Sequence, residues 1–376
     1  MTAAAMTAIP AEGRVDLRLY WDGDAVLHAE VLSRRPQPQR LLHGKPLAYA
    51  REVIPQLYSL CGDAQTVSAE ALSRLIDEGG FEPAQTRGWA ERIRLENIRE
   101  HLWRLGLDWP RVAGEEPRPE PLRELLAARG RFVDDRESAG AWAETTALGL
   151  FGKASAPWLG PSGAEPFHAW LREGPTPLAG LLGRLRPRLT GLGQSALPLF
   201  RSADLAPLGR DIQARIPGDA DFHQRPDWQG QVFEMGPLAR HQEHPLFTAI
   251  STEQRGADAW FRLVARVLEL ALGLESLRVG EPARPIVFGQ AAGDQAIVAL
   301  EMARGVLLHW AEVEQGSVRD YRIVAPTEWN FHPLGPAAQG LSRLRAGSES
   351  DLRERVALLV MALDPCVHYE LEIVDA

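Results

Sequence analysis

The chain has 376 residues, with 41 lysines and arginines against 50 aspartates and glutamates, a formal net charge of −9. That acidic balance, with no long basic run, argues against a nucleic-acid partner, whose footprint shows as a basic excess. Apolar residues make up 45%, enough for a large core, yet the longest uncharged apolar run near the end, VALLVMAL, is far short of the roughly 20 residues that cross a bilayer.

The opening MTAAAMTAIP has neither a basic start nor an apolar signal core, so the expected compartment is the cytoplasm, with no membrane partner. VDLRLYW at 15–21 alternates apolar and polar residues as a half-buried strand does. Asp22-Gly23-Asp24 supplies turn chemistry, and AVLHAEVL reads as the return strand. Residues 45–80 read as helical, with loops around Pro55 and Gly62. Trp89, Ile93, Leu95, Ile98, Leu102 and Leu105 fall at helical spacing, predicting one long amphipathic helix. Pro121 opens a further helix and Gly130 closes it.

From 153 to 227, Gly and Pro punctuate short apolar runs, as in GPTPLAGLLGRLRPRLTGLG. Short helices and long loops are expected there, a less regular insertion within one domain spanning 1–376. A clear helix follows at 257–276. GVLLHWAEVEQGSVRDYRIV reads as a hairpin turning at Gln315-Gly316, and Asp351–Leu363 as a last helix that delivers Asp364-Pro365-Cys366. Helices outnumber strands and the strands look antiparallel, so the expected class is α+β, mainly helical. The only cysteines are Cys61 and Cys366, and a reducing compartment argues against a bridge between them.

Several segments resemble the large subunit of nickel-iron hydrogenases. They are GPLAR at 236–240, LEMARGVLLHWAEVEQGSVRDYRIVAPTEWNFHP at 300–333, HLWRLGLDW at 101–109, Glu12-Gly13 ahead of the first strand, and the late Asp-Pro-Cys. The likeness covers roughly 9–110 and 228–372. It implies the large-subunit fold, a helical core with small antiparallel strand pairs. The family holds nickel and iron with two Cys-x-x-Cys motifs, the second reading Asp-Pro-Cys-x-x-Cys-x-x-His. Here Cys366 is kept, Tyr369 stands at the second cysteine and Glu372 at the histidine. In the gap-free register Tyr58 replaces the first cysteine of the N-terminal motif, Cys61 keeps the second, and Gln65 takes the place of a histidine. A rival register pairs Cys61-Gly62 with the first Cys-Gly instead.

Two thiolates and two phenols do not supply the four soft donors that nickel takes in this family, so no nickel is expected. Two cysteines do suit one iron that already carries cyanide and carbon monoxide. The combination resembles the accessory relatives of the large subunit, the HupK (HoxV) group of hydrogenase expression/formation proteins. The resemblance implies a non-catalytic scaffold or chaperone in metallocentre assembly. It would hold an iron cyanide–carbonyl fragment transiently on Cys61 and Cys366, with hydrogenase maturation proteins and the hydrogenase large subunit as partners. A divergent hydrogen-activating enzyme and a metal-free interaction partner are the alternatives.

Each residue also has a plainer reading. Cysteine is among the most buried residue types, so either thiol can be inert core. Arg304 matches an arginine beside the iron's diatomic ligands, or is a surface arginine in an ion pair. Glu12 matches a proton-relaying glutamate, or is exposed near a loose terminus. His368 is a ligand or hydrogen-bond partner candidate, although most lone histidines are neither. The pairs His241/His244 and His309/His332 look incidental. Trp310 and Trp329 read as core, and Asp364 and Pro365 as the turn presenting Cys366.

Overall fold

The structure, a computed structural model, describes residues 13–35, 38–161, 164–247, 257–283 and 287–376. Strand β1 (Arg14–Trp21) pairs antiparallel with β2 (Val26–Arg34), as the alternation predicts. Asp22 Oδ1 accepts from the backbone of Asp24 and Ala25 and closes the turn. The strand β7 (His368–Asp375) lies on the other side of β1, and it runs parallel to it, Val15 opposite Tyr369. That corrects the expectation of antiparallel strands throughout.

Helix α1 (Leu47–Leu57) contains Pro55 within it, and α2 (Gly62–Glu78) begins at Gly62. Pro55 sits in the last turn of α1, which ends two residues later, and the irregular stretch Tyr58–Cys61 separates it from α2. Helix α3 (Pro83–Trp103) gives way to a wider turn over Arg104–Asp108. Helix α4 (Glu120–Asp134) carries Pro121 in its first turn but runs through Gly130. A glycine inside a helix costs only about 1 kcal/mol, and the chain stops at Asp135, whose side chain caps the next helix, α5 (Arg136–Phe151), at Ser138 N. Residues 153–227 hold α6 (Ala164–Glu173), α7 (Pro177–Leu189) and α8 (Leu205–Arg215). Phe167, Leu178 and Leu182 from this stretch join the same apolar core as α9 (Ala259–Arg278). Asp258 starts α9 by accepting from Phe261 N.

The second sheet has the order β3 (Val287–Ala292), β4 (Gln295–Met302), β5 (Gly305–Glu314), β6 (Ser317–Val324), all antiparallel. Its two faces are both covered. Ala296, Val298 and Leu300 pack with α1 and α2, whereas Ile297 and Ala299 pack with α8 and Trp329. A strand buried on both faces loses the polar half of its alternation, which is why β4 escapes a periodicity reading. The last helix, α10 (Glu349–Leu363), is capped by Ser348 and ends where the second cysteine begins its approach to the core. Among the described residues no helix is long and apolar enough to cross a membrane.

Candidate metal-fragment site

Cys61 occupies the N-cap position of α2 without a capping bond from its own side chain. A helix start leaves unpaired N–H groups, and here Glu96, on α3, accepts from Asp63 N at 2.6 Å and Ala64 N at 3.3 Å. That cross-helix cap fixes the turn that carries the thiol. Cys61 is 2% exposed and Cys366 4%, and both are free thiols.

Cys366 is placed by a different device. The chain leaves α10 through Asp364, which has φ +56°, a left-handed conformation uncommon for a residue with a side chain. Three buried or half-buried guanidinium groups hold its carboxylate: Arg104 at 2.7 Å, Arg304 at 3.0 Å and Arg266 at 3.1 Å. Burial alone would raise the Asp364 pKa, but these three cations hold it far below the usual carboxylate range. Two residues on, Cys366 N donates to Thr327 Oγ1 at 3.1 Å, so the PTEW turn grips the cysteine backbone.

The two thiols, from opposite ends of the sequence, come to one site. Burial first, and then a negative charge on Cys366 or Glu96, push the Cys61 pKa up; Arg35 and the Gln65 amide work the other way. Arg35 lies within electrostatic reach of both thiols, is paired to Glu328 at 3.3 Å, and has its guanidinium over the Tyr58 ring at 5.6 Å. Burial opposes the Arg35 charge, but Glu328 and the thiols keep its pKa raised. Ser33 and Ala325 N complete the hold on Glu328 at 3.1 and 3.0 Å.

Arg304 sits in the tight turn between β4 and β5 and is 1% exposed, which removes the reading of a surface arginine. It donates to Glu100 at 2.7 Å. The glycine after it is obligatory: Gly305 has φ +135°, and a Cβ there would meet Met235 Cβ at 2.8 Å. Gly236 of the GPLAR segment approaches Arg304 O from the other side. Two buried nitrogens of each guanidinium lack a hydrogen-bond partner, Nε and Nη1 of both Arg35 and Arg304; each Nε still lies in an ion pair with a carboxylate, which leaves the two Nη1 groups unpaired.

Gln65 is in the site. Its Nε2 donates to Cys61 Sγ at 3.6 Å, and its Oε1 is 2.8 Å from His309 Nε2. His309 Nδ1 in turn is 2.8 Å from Tyr321 OH. Burial lowers the His309 pKa to about 3, so the ring is neutral. With Nε2–H donating to Gln65 and Nδ1 accepting from Tyr321, every group in the chain has its role, and the amide is locked towards the sulfur. His309, expected to be incidental, is therefore part of the site; its pairing with His332 is not, since His332 Nδ1 accepts from Leu334 N.

Other expectations fare unevenly. Tyr58 is buried beside Cys61, and burial raises its pKa to about 12, which leaves a neutral phenol. Tyr369 is half-buried and stacks on His368, whose side chain is exposed. Glu372 is not at the site: it lies on the outer side of β7, 58% exposed, and accepts from Arg18 at 2.7 Å. Period-two alternation along β7 turns it outward with His368 and Glu370. Glu12 lies outside the described residues. Trp310 and Trp329 are core. The residues that sequence reasoning missed are Arg35, Glu96, Glu100, Thr327 and Glu328. Glu96 and Glu100 carried a signal, two carboxylates one helical turn apart among the apolar positions of α3, and Thr327 and Glu328 lay in the PTEW stretch of the 300–333 segment; Arg35 carried none.

Among the described residues, no group of three or more His, Cys, Asp or Glu gathers as a ligand set. Two thiols with an amide and two unpaired guanidinium nitrogens do not make a cage for a bare ion. They fit a metal that arrives with most of its coordination already filled.

A family model described as nickel-dependent hydrogenase matches residues 287–366. The hydrogenase expression/formation protein HoxV of Cupriavidus necator is 33% identical, over 92% of this chain and 93% of its own length. HupV of Azotobacter chroococcum is 32% identical over 97% and 99%, and HupK of Azotobacter vinelandii 32% over 97% and 99%. Among solved structures, the Ni-Fe-Se hydrogenase of Desulfovibrio vulgaris Hildenborough superposes with a TM-score of 0.58 at 14% identity, covering 92% of this chain and 94% of that one. An NAD+-reducing [NiFe]-hydrogenase gives 0.55 at 16% identity. These two likenesses show a hydrogenase large-subunit fold.

Proposed function

Because the chain belongs to the family of hydrogenase expression/formation proteins that includes HoxV, HupV and HupK, we propose that it serves nickel-iron hydrogenase maturation as a non-catalytic scaffold. In this role Cys61 and Cys366 hold an iron cyanide–carbonyl fragment in transit to a hydrogenase large subunit. The observation that supports it most is the convergence of the two thiols on one buried guanidinium, Arg35. A pair of inert core cysteines has no need of a shared cation.

The residues divide the work. The thiols, deprotonated on binding, supply two soft donors, and ligation of a metal by thiols releases protons. Gln65 orients one sulfur, and the Thr327 contact orients the backbone of the other. Arg35 and Arg304 offer N–H groups to the nitrogen ends of anionic diatomic ligands. Tyr58, a neutral phenol, closes the site without competing as a ligand. Two thiolates leave the cargo less firmly held than four, which suits a carrier that must release it. The maturation proteins are the source of the fragment and the large subunit its destination; the cytoplasm is where both would meet it.

Iron content of protein purified without oxygen from cells that express the maturation proteins tests this. Wild-type protein should carry iron, nickel should be absent, and Cys61→Ser and Cys366→Ser should each lose the iron. Iron-free wild-type protein that still restores hydrogenase formation would favour the metal-free partner instead. Hydrogen turnover by the purified protein would favour the divergent enzyme.

A further inference from the structure

A cleft of about 380 Å³ opens where the end of α10, the Arg104–Val112 turns and the start of β7 meet. Cys366 is on its wall with Arg104, Asp364 and His368. Cys61 is not, and only its neighbour Leu60 reaches the lining. Cys61 lies deeper, with the Gln65 amide on its sulfur and that amide locked by His309. Arg99 holds the turn shut by donating to Leu60 O at 2.5 Å. The cleft itself is a mixed surface, with the Arg104–Asp108 ion pair and exposed His368 beside apolar Val112, Val360 and Met361.

We infer that this cleft is the route by which the iron fragment reaches the site, and that Cys366 takes it before Cys61. The inference rests on the carrier reading above. The step is a ligand exchange with no change in oxidation state. Iron arrives with a displaceable, protonatable ligand. The bond from iron to the Cys366 sulfur forms as the bond to that ligand breaks, and the Cys366 proton leaves on the departing ligand. A second displaceable, protonatable ligand on the iron then leaves with the Cys61 proton as the bond from iron to the Cys61 sulfur forms. Release retraces the order, so Cys366 is also the last bond to break.

The order is readable on the metal-free, full-length, reduced protein. It is treated with limiting iodoacetamide, and each cysteine is quantified by peptide mass spectrometry. Cys366 should label faster than Cys61 by about tenfold or more, because access to a buried thiol sets the rate. A bulkier maleimide should widen the ratio, and in denaturant the two should react alike. Ala357 lines the cleft, and Ala357→Phe should slow Cys366 by about tenfold without changing the melting temperature, whereas Ala357→Ser should keep the wild-type rate. Val112→Phe, on the opposite wall, serves if the first variant folds poorly. Equal labelling, Cys61 ahead of Cys366, no labelling of either, or an unchanged Cys366 rate in both Phe variants overturns the route. Because no iron is involved, iron-bearing protein with Cys61 labelled first sinks only the route, and iron-free protein with Cys366 labelled first sinks only the carrier.

Discussion

Asp364 holds a left-handed backbone because three arginines require its carboxylate at that spot. Removing the charge strands Arg266 in the core and takes one of two carboxylates from Arg104 and Arg304, and breaking a buried pair from one side costs about 3–5 kcal/mol. Asp364→Asn should therefore lower the melting temperature strongly, read by circular dichroism at pH 7. Its folded pKa is depressed, so its contribution is present above the ordinary carboxylate range and is lost as pH falls below it. Glu96 carries the opposite sign. Burial first, with Glu100 adding to it, raises its pKa to about 7 against the opposing Arg99. A carboxyl raised from 4.5 stabilises the fold below pH 4.5, and that contribution is lost as pH climbs to about 7. Glu96→Gln should flatten the fall in melting temperature across that window. A slope unchanged by the substitution means that Glu96 ionises as an ordinary carboxyl. Glutamine still offers an oxygen to Ala64 N, so the helix cap survives.

One wet face makes an element's period easiest to read. The β1–β2 hairpin alternates cleanly because its outer face carries Arg18 and Glu30, and α10 starts where a serine caps it. Strand β4 was illegible for the reason already given, burial on both faces, and α5 because its small and apolar residues lie on every side. The parallel pairing of β7 with β1 joins the two ends of the described chain, a contact no local pattern encodes. The β4–β5 turn carries the sharpest test at this scale. Gly305→Ala places a methyl group against Met235, Gly236 and Pro326 in a backbone region hostile to side chains. Such a strained position costs on the order of 1–3 kcal/mol. The variant should melt several degrees lower and should hold iron more weakly, since Arg304 must move. Wild-type stability and iron content together would show that the turn has slack.

At the scale of the whole molecule, the fold class and the two thiols were legible, and the setting of the thiols was not. Cys61 and Cys366 stood out because cysteines are scarce and both fall in motifs shared with hydrogenase large subunits. Arg35 carries no motif, and His309 and Glu328 lie in the 300–333 segment without any sign of their role; they matter because tertiary packing places them near the sulfurs. Glu372 failed as a site residue because the segment after Cys366 extends into β7 and turns it outward. The central claim is that one buried site, built from both ends of the chain, holds an iron that brings its own ligands. Infrared spectroscopy of anaerobically purified protein from maturation-competent cells tests it most directly. The prediction is a set of cyanide and carbonyl stretches in the wild type that disappears in both Cys61→Ser and Cys366→Ser while each variant stays folded. Wild-type protein without those bands, or bands that survive loss of either thiol, would contradict it.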